Sequence, residues 1–174
     1  MFLNTWIDDQ MQEDNDQRRR DDIRLLKERV ASVKRPILWD ELVTSVARHV
    51  STYREHLPTK QVDMRLLSPS GLSFTIRKTS FPCVTLQADF LNQLMIELVF
   101  EYRGSDLTPK LTWSERIGFT IDDQDHLQFL HGQDILVDAD EAANILLEPI
   151  LNPKFVPPEA ARAVPTGNLK RRYQ

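Results

Sequence analysis

The residues with reactive side chains are four histidines, one cysteine and 26 carboxylates in a chain of 174 residues. Their spacing decides whether they can act together. His49 and His56 are seven positions apart in a helical pattern. They share a face but stand about two turns apart, roughly 10 Å, too far to bind one metal as a local pair. His126 and His131 flank a short apolar run and point to opposite faces of a strand. Neither His-Glu-x-x-His nor facial-triad spacing occurs, so no metal site and no cofactor is expected.

Cys83 follows Pro82 at the start of a strand-like run. A catalytic thiol needs an electropositive, half-exposed setting. Beside Val84, a small core residue is the simpler reading. A single cysteine also rules out an intramolecular disulfide. The five glycines, Gly71, Gly104, Gly118, Gly132 and Gly167, are isolated. No phosphate-cradling fingerprint and no nucleophile elbow can be built from them.

Glu97 and Glu101 lie four apart on one strand, on the same face at about 13 Å. Paired glycosidase carboxylates stand about 5–9.5 Å apart, so these two do not form that dyad. With Arg77 and Trp113 they define a possible ligand cleft, Arg77, Glu97, Glu101 and Trp113, open to a small molecule. An ordinary cross-strand ion pair on a solvated sheet explains the carboxylates equally simply. No catalytic set is legible.

These residues are positioned by an alternating segment that runs from Val62 to Phe129. Leu72, Phe74 and Ile76 alternate with Ser73, Thr75 and Arg77; Ile117, Phe119 and Ile121 alternate with Gly118, Thr120 and Asp122. Period-two alternation makes strands apolar on one face and wet on the other. Strands are expected near 61–67, 72–78, 83–88, 94–103, 110–116, 117–122 and 127–130, the fifth and sixth joinable into one bent strand at Gly118. Short polar turns connect them, so an antiparallel meander follows.

Helices cover that sheet. One is expected over Asp21–Lys34, with Ile23, Leu26, Val30 and Val33 at a/d spacing. Two heptads fit a helix laid along its own domain better than a coiled coil. Pro36 separates it from a second helix over Leu38–Leu57, or sits in that helix's first turn. Leu42, Val46, Val50, Tyr53 and Leu57 form the apolar stripe of this second helix, and Pro58 ends it. A last helix covers Ala139–Ile150, with Asp138 as N-cap and Glu141 completing a capping box. The fold class is α+β: an antiparallel β-meander of about six strands packed on a long N-terminal helix and a C-terminal helix, a two-layer sandwich.

Three regions result: residues 1–22, a polar extension with an apolar leader; 23–151, a single α+β domain; and 152–174, a proline-rich tail expected to be disordered. Arg18-Arg19-Arg20 sits among aspartates and reads as a solvated helix with local ion pairs. Lys170-Arg171-Arg172 ends the tail and offers at most a weak contact to nucleic acid or an acidic lipid surface. The formal charge of -4 argues against a nucleic-acid-attracting field. Met1–Ile7 lacks a basic n-region, Asp8 and Asp9 interrupt it, and no run approaches the ~20 apolar residues that cross a bilayer. A cytoplasmic protein with no membrane partner is expected.

Two surfaces carry unexplained apolar residues. In Leu94–Phe100 both strand faces are apolar, so something must cover Met95 and Val99. It is the N-terminal helix, a second copy of the chain or a ligand. Phe2, Leu3, Trp6 and Ile7 have the i, i+1, i+4, i+5 spacing of one helix face, suited to a groove in a partner or second subunit. The sequence therefore points to a non-catalytic protein-interaction or adaptor module, a self-associating homo-oligomer. Its partner-binding residues are Phe2, Leu3, Trp6, Ile7, Met95 and Val99. A small-molecule cleft is the alternative, and weak nucleic-acid binding by the basic tail the third.

Overall fold

The first 55 helical residues form one element, α1 (Phe2–His56), in a computed structural model that describes residues 2–67 and 70–163. The two helices expected on either side of Pro36 are continuous. Proline removes one i→i−4 hydrogen bond and crowds the carbonyl four residues back. Here that carbonyl belongs to Ser32 on the exposed side, where water can satisfy it. Ala31, Arg35, Trp39 and Leu42 are buried, before and after the proline, so packing holds the helix across it. At the far end His56 closes α1, and Pro58–Lys60 form one 3₁₀ turn.

The alternating segment folds as expected, into strands whose odd and even residues face different layers. They are β1 (Val62–Leu66), β2 (Ser73–Lys78), β3 (Cys83–Leu91), β4 (Met95–Arg103), β5 (Leu111–Ile121) and β6 (Leu127–His131). β5 is the single long strand that joins the fifth and sixth runs. Two strands were not legible in the sequence, β7 (Asp134–Leu136) and β8 (Arg162–Ala163). The sheet is antiparallel and open, in the order β1-β2-β3-β4-β5-β6-β7, with β8 paired to β5. Register is fixed by pairs such as Ile76↔Leu86, Leu86↔Phe100 and Phe100↔Trp113, a transverse apolar row on the inner face.

The second helix, α2 (Ala139–Leu151), begins as its capping chemistry dictates. The Glu141 amide donates to Asp138 Oδ1 at 2.8 Å, and Glu141 Oε2 accepts from the Val137 amide at 2.8 Å. Both helices lie on one face of the sheet, which gives the two-layer α+β arrangement. The core between the layers centres on Trp39. Its ring stacks on Phe74 and Phe90, with centroids at 5.5 and 5.2 Å, and its Nε1 donates to the Gly71 carbonyl at 2.8 Å. Gly71 takes φ +69, the left-handed conformation that glycine adopts without strain.

The segment after Asn152 does not simply trail away. Phe155 stacks on Trp113 with centroids 5.9 Å apart, and Arg162–Ala163 pair with Leu111–Thr112. Pro165, Gly167 and the Lys170-Arg171-Arg172 cluster lie outside the described residues. Among the described residues, no helix is long and apolar enough to cross a membrane.

Candidate functional site

Two surfaces emerge, one on α1 and one on the outer face of the sheet. On α1, no described side chain before Ala31 is buried. Ile23, Leu26, Val33 and Ile37 are 49%, 61%, 68% and 55% exposed, and Val30 is half-buried. The expected helix laid along its own domain is thereby corrected. The a/d stripe points away from the domain, roughly a third of a turn round from the buried Ala31 face. Because α1 runs through Pro36, Ile37 joins the stripe, which the assumed break at the proline concealed in the sequence.

The domain grips α1 along one flank of that stripe. Lys27 Nζ lies 3.8 Å from Asp123, and Lys34 Nζ donates to the Asp125 carbonyl at 2.6 Å. Arg35 reaches back along the helix and binds both oxygens of Glu28, at 2.8 and 2.9 Å. Those hydrogen bonds, with the guanidinium charge, hold the Glu28 carboxyl below its ordinary value. Arg18, Arg19 and Arg20 make no ion pair among the described residues, although Asp14 and Asp16 stand one turn before Arg18 and Arg20. The expected local pairing is absent there. Toward the N-terminus, Trp6, Ile7 and Met11 are exposed. Phe2 and Leu3 continue the helix, but their side chains lie outside the description.

The outer sheet face carries Thr75, Gln87, Val99 and Ser114 in one transverse row, and Arg77, Thr85, Glu101 and Thr112 in another. β4 is the central strand, yet Val99 is 37% exposed and Met95 half-buried. Both helices pack on the inner face, so α1 is not what covers them. Leu91 stands opposite Met95 and supplies a small apolar neighbour.

Of the four expected cleft residues, the structure brings two together. Arg77 and Glu101 line an open cleft of about 1200 Å³ that reaches round the β1 edge to Arg54 and Glu55 of α1. Glu97 shares the face but sits apart, 3.5 Å from Arg116. Trp113 belongs to the opposite layer. It is buried, stacks on Phe100 at 4.8 Å and donates Nε1 to Glu115 Oε1 at 3.0 Å. The parity that Trp113 shares with the apolar Ile117 and Phe119 was the available signal. Within the cleft Asp63 receives Arg65 at 3.0 Å and Arg54 at 3.9 Å, and Glu101 receives Lys110 at 2.6 Å. Arg77 makes no ion pair among the described residues.

Two arrangements escaped sequence reasoning. Glu115 faces inward, where its second oxygen meets His131 Nε2 at 2.9 Å. Both oxygens are therefore committed, one to an indole and one to an imidazole. This carboxylate orients a histidine, but no hydroxyl or thiol is hydrogen-bonded to that ring among the described residues. The pairing spans two strands and depends on the register Ile117↔His131. The second is a groove of about 510 Å³ between the helices, lined by His49, Tyr53, His56, Leu147 and Leu151. Burial raises the Tyr53 phenol above its ordinary value. Cys83 is half-buried, with Sγ 3.0 Å from the Thr79 carbonyl. Among the described residues, no group of three or more His, Cys, Asp and Glu side chains converges as a metal site would require.

No protein-family model, curated protein or solved structure matches the chain.

Proposed function

We propose that this chain is a non-catalytic interaction module that self-associates through the N-terminal half of α1. The carrying observation is the stripe Ile23, Leu26, Val30, Val33 and Ile37, exposed except at the half-buried Val30 and a/d-spaced over two heptads on a continuous helix. Such a stripe is the seam of a helix pair, and a single helix in water leaves it unsatisfied. A flank of the same segment is already anchored to the domain through Lys27 and Lys34, so the helix presents the stripe at a fixed angle. Trp6 and Ile7 lie on another side of the helix and form a second contact point, continued by Phe2 and Leu3. The outer sheet face, with Met95 and Val99, is the third. The outer cleft supports a small-molecule site less well, because its lining balances three arginines, Arg54, Arg65 and Arg77, with three carboxylates, Glu55, Asp63 and Glu101.

The test is the double substitution Leu26→Glu, Val33→Glu in the full chain. Both side chains are exposed, so the variant should still fold, with a cooperative unfolding transition whose midpoint falls below the parent's only by the dimer's concentration-dependent contribution. Light scattering should show the parent as a dimer or larger and the variant as a monomer. A parent chain that is monomeric at high micromolar concentration would sink the proposal.

A further inference from the structure

The order of residues along α1 specifies how two copies meet, an inference that rests on the proposed self-association. The stripe is close to a palindrome. From Ile23 to Ile37 its spacings are three, four, three and four residues, and read backward they are four, three, four and three. A stripe of this kind matches itself equally well in parallel and antiparallel pairs, so the flanking charges decide. Arg19 and Arg20 stand eleven and ten residues before Val30; Asp40 and Glu41 stand ten and eleven after it. Arg19 and Asp40 continue the a/d line beyond Ile23 and Ile37, and Glu41 borders it. All four side chains are exposed, and none makes an ion pair among the described residues.

We infer that two copies of α1 pair antiparallel about a two-fold axis at Val30, setting Arg19 and Arg20 of one copy against Glu41 and Asp40 of the other. The axis brings Ile23 of one copy beside Ile37 of its partner, and Leu26 near Val33. Each charged cluster sits about 15 Å from the axis, so the two ion-pair groups bracket the apolar seam. Parallel, in-register pairing instead sets Arg19 on Arg19 and Asp16 on Asp16, both on the same line, and like charges at the seam oppose it. Lys27 and Lys34 would approach each other across an antiparallel seam. The β5–β6 turn holds both aside, through Asp123 and the Asp125 carbonyl.

Cysteine pairing tests the register in full-length chains carrying Cys83→Ser. Chains with Ile23→Cys alone or Ile37→Cys alone should give no disulfide-linked dimer on mild oxidation, while an equal mixture should give one readily. A disulfide-linked dimer from Ile23→Cys alone would establish parallel pairing and overturn the register, leaving self-association intact. A dimer by light scattering that yields no covalent species in any mixture would overturn it as well. A monomer by scattering removes both the register and the function on which it rests. Charge reversal supplies a second measurement that leaves the apolar stripe unaltered. Arg19→Glu with Arg20→Glu should weaken the dimer at least tenfold, and adding Asp40→Arg with Glu41→Arg should restore it. No restoration would count against the antiparallel pairing.

Discussion

At the scale of single residues, Asp140 shows what a polar contact between the two helices does. Its carboxylate, on the first turn of α2, accepts hydrogen bonds from the Ser45 hydroxyl and the Arg48 guanidinium of α1. Those two partners, the hydroxyl foremost, hold its pKa below the ordinary 3.8. A carboxylate depressed in the folded state stabilises the fold above its unfolded value, and that stability is lost as pH falls through the folded value. Asp140→Asn should therefore lower the urea midpoint at neutral pH. The gap between variant and parent should close as pH drops below 3.8. A gap of equal size at pH 7 and about pH 2 would mean that Asp140 acts by packing and not by charge. Lys78 is the opposite case: buried on the inner face, it donates to the Ile150 carbonyl at 3.0 Å near the end of α2. Burial draws its pKa below the usual lysine value. Neither partnership was visible in the sequence, because each joins residues more than 70 positions apart.

At the scale of elements, legibility followed pattern length. Alternation over five or more residues located β1 to β6, and the Asp138–Glu141 spacing located the start of α2. β7 has three residues and β8 two, too few for any period to register. The face of each strand residue was also legible in principle. Arg77 and Glu101 emerged together because parity and register agree, and Trp113 was misplaced because its parity with Ile117 was overlooked. The larger miss was Pro36, where a local rule about proline lost to tertiary packing of Arg35, Trp39 and Leu42. That contest makes a prediction. Pro36→Ala should restore the hydrogen bond to Ser32 and raise stability by about 2 kcal/mol, after allowing for the freer unfolded chain. Urea unfolding with an unchanged m-value would read it directly. A loss of stability would show instead that the half-buried ring is itself part of the packing.

For the whole molecule, the main fact is that α1 is longer than the domain it serves. Fifty-five residues of helix extend about 80 Å, and its buried side chains run from Ala31 to Val50. A helix half exposed over such a length carries an ordering cost that its own domain does not offset, since packing supplies most helical stability in proteins. The proposed pairing at Ile23–Ile37 places a partner on the first stretch where the seam becomes apolar. It leaves the acidic run Asp8, Asp9, Glu13, Asp14 and Asp16 outside the seam. Removal of residues 1–17 separates the two candidate contacts on α1. It deletes Trp6, Ile7 and Met11 while keeping Arg18–Arg20 and the whole stripe. The unfolding midpoint of the monomeric Leu26→Glu, Val33→Glu background should not move on this truncation, because no described side chain in the deleted segment is buried. In the parent background light scattering should still report the dimer, with its dissociation constant within about threefold of the full chain. Should the truncated chain become monomeric with its fold intact, the leader would carry the association, and the stripe would be the surface left for another partner.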